Sequence, residues 1–216
     1  MNISIYQICY DSKQHINVDK DFILYDNSKY NQRFNKLNNP REYQVFLDNY
    51  KNINSDYTGY VSWKFRSKTG LTGRSFINNF TEHDLYFVNC GPRSIDNVWE
   101  QGERQHPGII DFTQNIFDAI NYDINIKKIK HCRSKTAFCN FWAGSPVFWS
   151  KYMKFTTPVY NYIKNNLTTE QKKFISSRAC KGITSDYFPF IMERMFTTLL
   201  HVDSNISYIN IPRTKA

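Results

Sequence analysis

Short apolar runs that stop in polar residues, separated by stretches of helical spacing, restrict this chain to a small set of folds. Ile3 to Tyr10 is a β-rich run ending at Asp11, and Phe22-Ile23-Leu24-Tyr25 is a second, ending at Asp26-Asn27. From Asn39-Pro40 to Tyr50 the pattern becomes helical, with Tyr43, Phe46, Leu47 and Tyr50 behind a proline suited to a first turn. Tyr57 to Phe65 reads as a strand that leaves through Lys68-Thr69-Gly70, and Arg74 to Phe80 as a short helix. Asp84 to Cys90 reads as a strand stopped by Gly91-Pro92. Around Trp99 the sequence is polar and loop-like, until Pro107 to Ile120 resumes helical spacing. Ala137 to Gly144 leads into a helix from Ser145-Pro146, which Pro158 is expected to kink or divide. A polar stretch from Lys164 to Lys173 separates that helix from another after Pro189, and Ile206 to Ile211 offers a terminal strand. Strands alternating with helices imply an α/β fold with a mainly parallel sheet.

The 216 residues are 41% hydrophobic and 17% aromatic, enough to bury a substantial core. No repeat, long linker or low-complexity tail divides the chain, so 1–216 reads as one domain. The formal charge of +9 favours an anionic partner: nucleic acid, an anionic membrane surface or a phosphorylated substrate. The densest basic run, Lys127 to Lys135, has a spacing that fits neither helix nor strand and reads equally as a solvated face. Five cysteines (Cys9, Cys90, Cys132, Cys139, Cys180) form no C-x-x-C pair and mostly sit in apolar stretches, which fits a reducing compartment. The N-terminus lacks a signal-peptide pattern, and no window approaches the ~18 apolar residues of a membrane span. A cytoplasmic location is expected, with peripheral contact at the inner membrane face left open.

Three stretches together resemble the GT-A-type glycosyltransferases with which bacteria assemble capsule and lipopolysaccharide. They are Tyr57-Thr58-Gly59-Tyr60-Val61-Ser62-Trp63-Lys64-Phe65 with Lys68-Thr69-Gly70; Phe138-Cys139-Asn140-Phe141-Trp142 with Pro146 and Phe148-Trp149; and Asp186 through Phe196. They cover a small part of the chain, and none is as specific as a Walker sequence. The resemblance implies a GT-A-like, Rossmann-like sheet flanked by helices. It also implies a nucleotide-sugar donor, a polysaccharide or lipid-linked acceptor, and work beside the membrane.

Glycosyl transfer requires the departing diphosphate to be neutralised and the acceptor hydroxyl to lose its proton. Many GT-A-type enzymes use Mn²⁺ or Mg²⁺ held by Asp-x-Asp after a central strand. Here the corresponding strand end reads as Val88-Asn89-Cys90-Gly91-Pro92, without an acid, and Asp19-Lys20-Asp21 matches the letters but precedes an early strand, so no metal site is assigned. Donor binding then falls to Trp63, Lys64, Lys68, Gly70 and Arg74, with Arg66 and Gly73 nearby. The loop from Trp99 to Gly108 is dense in polar groups, and Trp99 and Glu103 join Asn140 and Trp142 as acceptor contacts. Candidate bases are Asp186, Glu193 and His106, in that order, against plainer roles as a helix cap, a salt-bridge partner and a loop residue. Two other functions fit the charge and aromatic content: a noncatalytic domain for single-stranded nucleic acid, or a degenerate transferase fold acting as an assembly partner. Nucleic acid is the less expected partner, because no recognition-helix, zinc-finger or RNA-recognition signature is present.

Overall fold

A computed structural model describes residues 1–28, 40–91, 97–177, 179 and 186–214. Six strands form one sheet: β1 (Ile3–Cys9), β2 (Ile23–Asp26), β3 (Tyr57–Ser62), β4 (Leu85–Val88), β5 (Trp142–Gly144) and β6 (Tyr208–Ile211), in the order β2-β1-β3-β5-β4-β6. Strand β1 pairs in parallel with β2 and β3, and β4 in parallel with β6. The short β5 runs antiparallel to both β3 and β4. The sheet is therefore mixed rather than mainly parallel. After a short turn at Arg133–Lys135 the chain returns to the sheet from the opposite end and slots between two strands that do not pair with each other. Close fit at the crossing demands small residues: Gly59 faces Ala143, and a Cβ on Gly59 would stand 2.8 Å from both the Ala143 Cβ and the Trp142 carbonyl oxygen.

Eight helices lie among the described residues: α1 (Glu42–Asn49), α2 (Phe65–Thr69), α3 (Gly73–Ile77), α4 (Val98–Gln105), α5 (Ile109–Ala119), α6 (Pro146–Asn165), α7 (Thr169–Ile175) and α8 (Phe188–Val202). They cover both faces of the sheet, so strand side chains alternate between two cores. In β4, Leu85 and Phe87 join the larger cluster with α1, α4, α5, α6 and α8, while Tyr86 and Val88 join the smaller cluster with α2 and α3. All four are fully buried, as their unbroken apolar run requires.

Several elements depart from the sequence reading. The loop-like stretch around Trp99 is helix α4, capped by the Asn97 side chain, which accepts from the Trp99 and Glu100 amides. Its Gly102 signals a breaker but serves a close approach, since a Cβ there would meet the Arg194 guanidinium at 2.5 Å. The polar stretch after Lys164 contains α7, opened by a capping box between Thr168 and Gln171. The strand from Tyr57 stops at Ser62, and Phe65 already belongs to α2. Helix α6 continues through Pro158. The missing amide leaves the Lys154 carbonyl without its helical donor, and the Tyr122 hydroxyl lies 3.5 Å from that oxygen while donating to the Phe155 carbonyl at 2.7 Å. Pro92, Asn39 and Cys180 lie outside the described residues. Among the described residues no helix is long and apolar enough to cross a membrane.

Replacing Gly59 with alanine is expected to destabilise the fold by about 1–3 kcal/mol, because the neighbouring backbone cannot yield to an added methyl. Urea unfolding of the variant against the parent measures it.

Candidate functional site

The order of the strands reverses between β1 and β3: the chain steps from β1 outward to β2, then crosses back to β3 on the other side. Carboxyl ends of strands at such a reversal open a crevice that helices cannot fill. A cleft of about 430 Å³ lies there. Tyr10 follows β1 into it, Ser62, Trp63 and Lys64 close β3 against it, and Lys68 reaches in from α2. Cys139 and Asn140 precede β5 at the same edge, because an antiparallel strand begins where its parallel neighbours end. Arg41 and Glu42 start α1, and Phe190, Met192 and Glu193 lie in the first turns of α8.

The backbone is strained where it meets this cleft. Four described non-glycine residues have left-handed φ angles, and three of them, Arg41 (52°), Cys139 (75°) and Asn140 (48°), line it. Each such residue costs about 1–2 kcal/mol, so the surroundings must hold it in place. For Cys139 and Asn140 the clamp is visible. Glu193, Thr197 and His201 form one stripe along α8, each four residues from the next, and bind the segment 132–139 that crosses it. The Cys132 amide donates to His201 Nε2 at 2.9 Å. The Ala137 amide donates to Thr197 Oγ1 at 3.0 Å, while that hydroxyl donates back to the Ala137 carbonyl at 3.0 Å. The Cys139 amide donates to Glu193 Oε1 at 2.8 Å. The Asn140 Oδ1 is buried and has no hydrogen-bond donor among the described residues.

Both signs of charge converge here. Burial pushes the Glu42 carboxyl above the usual glutamate range, and the Glu193 charge raises it further. Burial also holds the Tyr10 phenol well above its ordinary value, with Glu42 adding to the effect. Lys68 Nζ donates to Cys139 Sγ at 3.0 Å, and Lys64 Nζ sits 5.1 Å from the centre of the Trp63 ring. Burial, followed by the Glu193 charge, pushes the Cys139 thiol to about 11, so at neutral pH it is a protonated and weak nucleophile. A carboxyl that resists ionisation beside a second carboxylate, facing lysines and an indole, is an arrangement suited to proton transfer on a polar substrate.

Of the residues singled out from the sequence, Trp63, Lys64, Lys68, Asn140 and Glu193 meet at this cleft. Arg74 lines an adjoining cleft beyond Trp63 and pairs with Asp21 at 3.2 Å. Gly70 is the left-handed residue (φ 77°) that ends α2, its amide donating to the Arg66 carbonyl. Trp99 is fully buried, its indole donating to Thr198 Oγ1, and offers no ring face to a ligand. Trp142 is equally enclosed, stacked on Phe196 in the core. Glu103 accepts from the Gly108 and Ile110 amides and so caps α5. His106 is buried behind the cleft wall, stacked on Phe190 at 3.9 Å with Nδ1 3.1 Å from the Ala179 carbonyl, and burial lowers its pKa. Asp186 is buried just before α8 and outside the cleft lining. The strands whose ends open on the cleft are β1 and β3, not β4 with its Val88-Asn89-Cys90. Among the described residues no group of three or more His, Cys, Asp or Glu is placed to hold a metal ion. In the basic run Lys127 pairs with Asp111 at 2.6 Å, and Lys128 and Lys130 are exposed away from the cleft lining.

Sequence reasoning missed Tyr10, Arg41 and Glu42. Glu42 reads locally as an acid favouring a helix N-terminus, and nothing in its neighbourhood announces that α1 starts opposite Glu193. No family model, curated protein or solved structure matches this chain.

Thr197→Val removes a buried hydroxyl that serves both the amide and the carbonyl of Ala137, and is expected to cost about 2 kcal/mol. Hydrogen exchange will show faster amide exchange at Ala137 and Cys139 than at β1, whereas uniform loosening would deny the clamp a local role.

Proposed function

We propose that this chain is a glycosyltransferase that moves a sugar from a nucleotide-sugar donor to a polysaccharide or lipid-linked acceptor. The observation that carries the reading is convergence. Three stretches far apart in sequence resemble parts of such enzymes, and each contributes side chains to one cleft: Trp63, Lys64 and Lys68 from the first, Cys139 and Asn140 from the second, Phe190 and Glu193 from the third. A GT-A-like arrangement belongs to the same proposal, supported by the helix-flanked mixed sheet and a cleft at the reversal of strand order. Work at the cytoplasmic membrane face is proposed with it, on the net charge of +9.

In this reading Glu193 is the base. Its Oε1 is fixed by the Cys139 amide, leaving Oε2 to accept the proton of an acceptor hydroxyl. As that oxygen bonds to the anomeric carbon, the bond from carbon to the diphosphate oxygen breaks, and the cationic charge of Arg41, Lys64 and Lys68 offsets the charge on the leaving group. Trp63 supplies a ring face for the donor, and Asn140 an amide for the sugar. Glu42, whose carboxyl burial makes harder to ionise, disfavours a second negative charge in the site.

The test is turnover of nucleotide sugars, with donor binding followed separately by thermal shift. Glu193→Gln is expected to lower turnover on the order of 10²-fold or more while donor binding persists. Unchanged turnover would remove Glu193 from the mechanism, and salt-sensitive binding of single-stranded nucleic acid without any donor response would replace the reading. The pH profile has a defined sign. Because the Glu42 pKa is raised, activity should decline on the alkaline side as Glu42 ionises, and Glu42→Gln should abolish that decline while leaving the acid limb.

A further inference from the structure

A second cleft, of about 860 Å³, adjoins the first across Trp63, between the segment 16–21 and helices α2 and α3. One buried side chain fixes its wall. Gln7, fully enclosed within β1, donates from Nε2 to the carbonyls of Asn17 (3.3 Å) and Trp63 (3.2 Å) and accepts from the Asp19 amide at Oε1 (2.8 Å). The cleft is thus formed before any ligand arrives, which spares a ligand the entropy of ordering it.

Its polar groups are of two kinds. Arg66 is exposed and has no ion-pair partner among the described residues, and Arg74, with a side chain 71% exposed, holds only the Oδ1 of Asp21. The other oxygen of that carboxylate, Asp21 Oδ2, is buried and has no hydrogen-bond donor among the described residues. The neighbouring Asp19 is committed to the wall, its Oδ1 accepting from the Asp21 amide at 3.1 Å. Fork-shaped guanidinium groups match phosphate oxygens, and a carboxylate oxygen lacking a donor matches a hydroxyl.

We infer that this larger cleft binds a phosphate ester that also carries hydroxyl groups, with Arg66 and Arg74 on the phosphate, Asp21 on a hydroxyl and Trp63 at the boundary with the smaller cleft. The inference rests on the transferase reading for its role and extends the anion-binding surface across Trp63: Arg66 and Arg74 hold phosphate here, while Arg41, Lys64 and Lys68 offset charge beside Glu193 in the smaller cleft. A nucleoside diphosphate and a sugar phosphate share the recognised groups, and they differ in the base that Trp63 is able to stack against.

Calorimetric titration of the full chain with inorganic pyrophosphate, a sugar 1-phosphate and a nucleoside diphosphate tests it. Arg66→Ala is expected to weaken all three by roughly tenfold or more. Asp21→Asn should weaken the two hydroxyl-bearing probes and leave pyrophosphate unchanged, and Trp63→Ala should weaken the nucleoside diphosphate alone if a base is bound. Unaltered binding by Arg66→Ala, or no binding of any probe to the parent protein, overturns the inference. Should Lys68→Ala lose the probes while Arg66→Ala keeps them, the phosphate belongs to the smaller cleft and the transferase reading survives without this one. Phosphate binding that depends on Arg66 in a protein that turns over no sugar donor would instead retain the cleft and discard the transferase.

Discussion

Strands β3 and β4 do not pair with each other, and the backbone ladder that joins the two halves of the sheet passes through the three residues of β5. On one side β2, β1 and β3 form a parallel unit, and on the other β4 and β6 form a second. The link closes only because Gly59 and Ala143 allow two backbones to approach where a larger pair would collide. Its antiparallel direction follows from the path of the chain, which arrives at the carboxyl edge of the parallel strands. That direction has a chemical consequence: the residues just before β5, Cys139 and Asn140, are delivered to the edge where β1 and β3 end.

Holding them there falls to helix α8. Its Glu193-Thr197-His201 stripe binds the incoming segment at three points, and two residues in left-handed conformations persist at the end of that clamp. The same carboxylate that anchors the Cys139 amide faces the cleft, so the positioning of the wall and the orientation of Glu193 are one interaction. Glu42 lies across the same cleft, and burial together with the Glu193 charge makes its carboxyl harder to ionise.

Local signals read well where a single physical cause dominated. The apolar runs of β1 and β4 and the helical spacing of α1, α5 and α8 are legible because burial on one or two faces imposes its period on the residues. Where two causes compete, the letters mislead. Gly102 lowers helix propensity in α4, yet it is required for the Arg194 guanidinium to lie against that helix. Pro158 signals a kink or a division of α6, and the helix is not divided there. Trp99 and Trp142 carry the aromatic chemistry of a sugar platform and are instead among the largest wholly enclosed side chains.

By itself, the sequence determined the alternation of strand and helix and the presence of Trp63, Lys64, Lys68, Asn140 and Glu193 as polar or amphipathic groups among apolar ones. Periodicity is a property of neighbours along the chain, so these features are local. Only the tertiary structure decided the antiparallel seat of β5, the pairing of Glu42 with Glu193 across more than a hundred residues, and the division of the polar groups between two clefts on either side of Trp63. Contacts of that kind depend on which strand lies beside which, and a ladder of backbone hydrogen bonds carries no residue code that announces its partner.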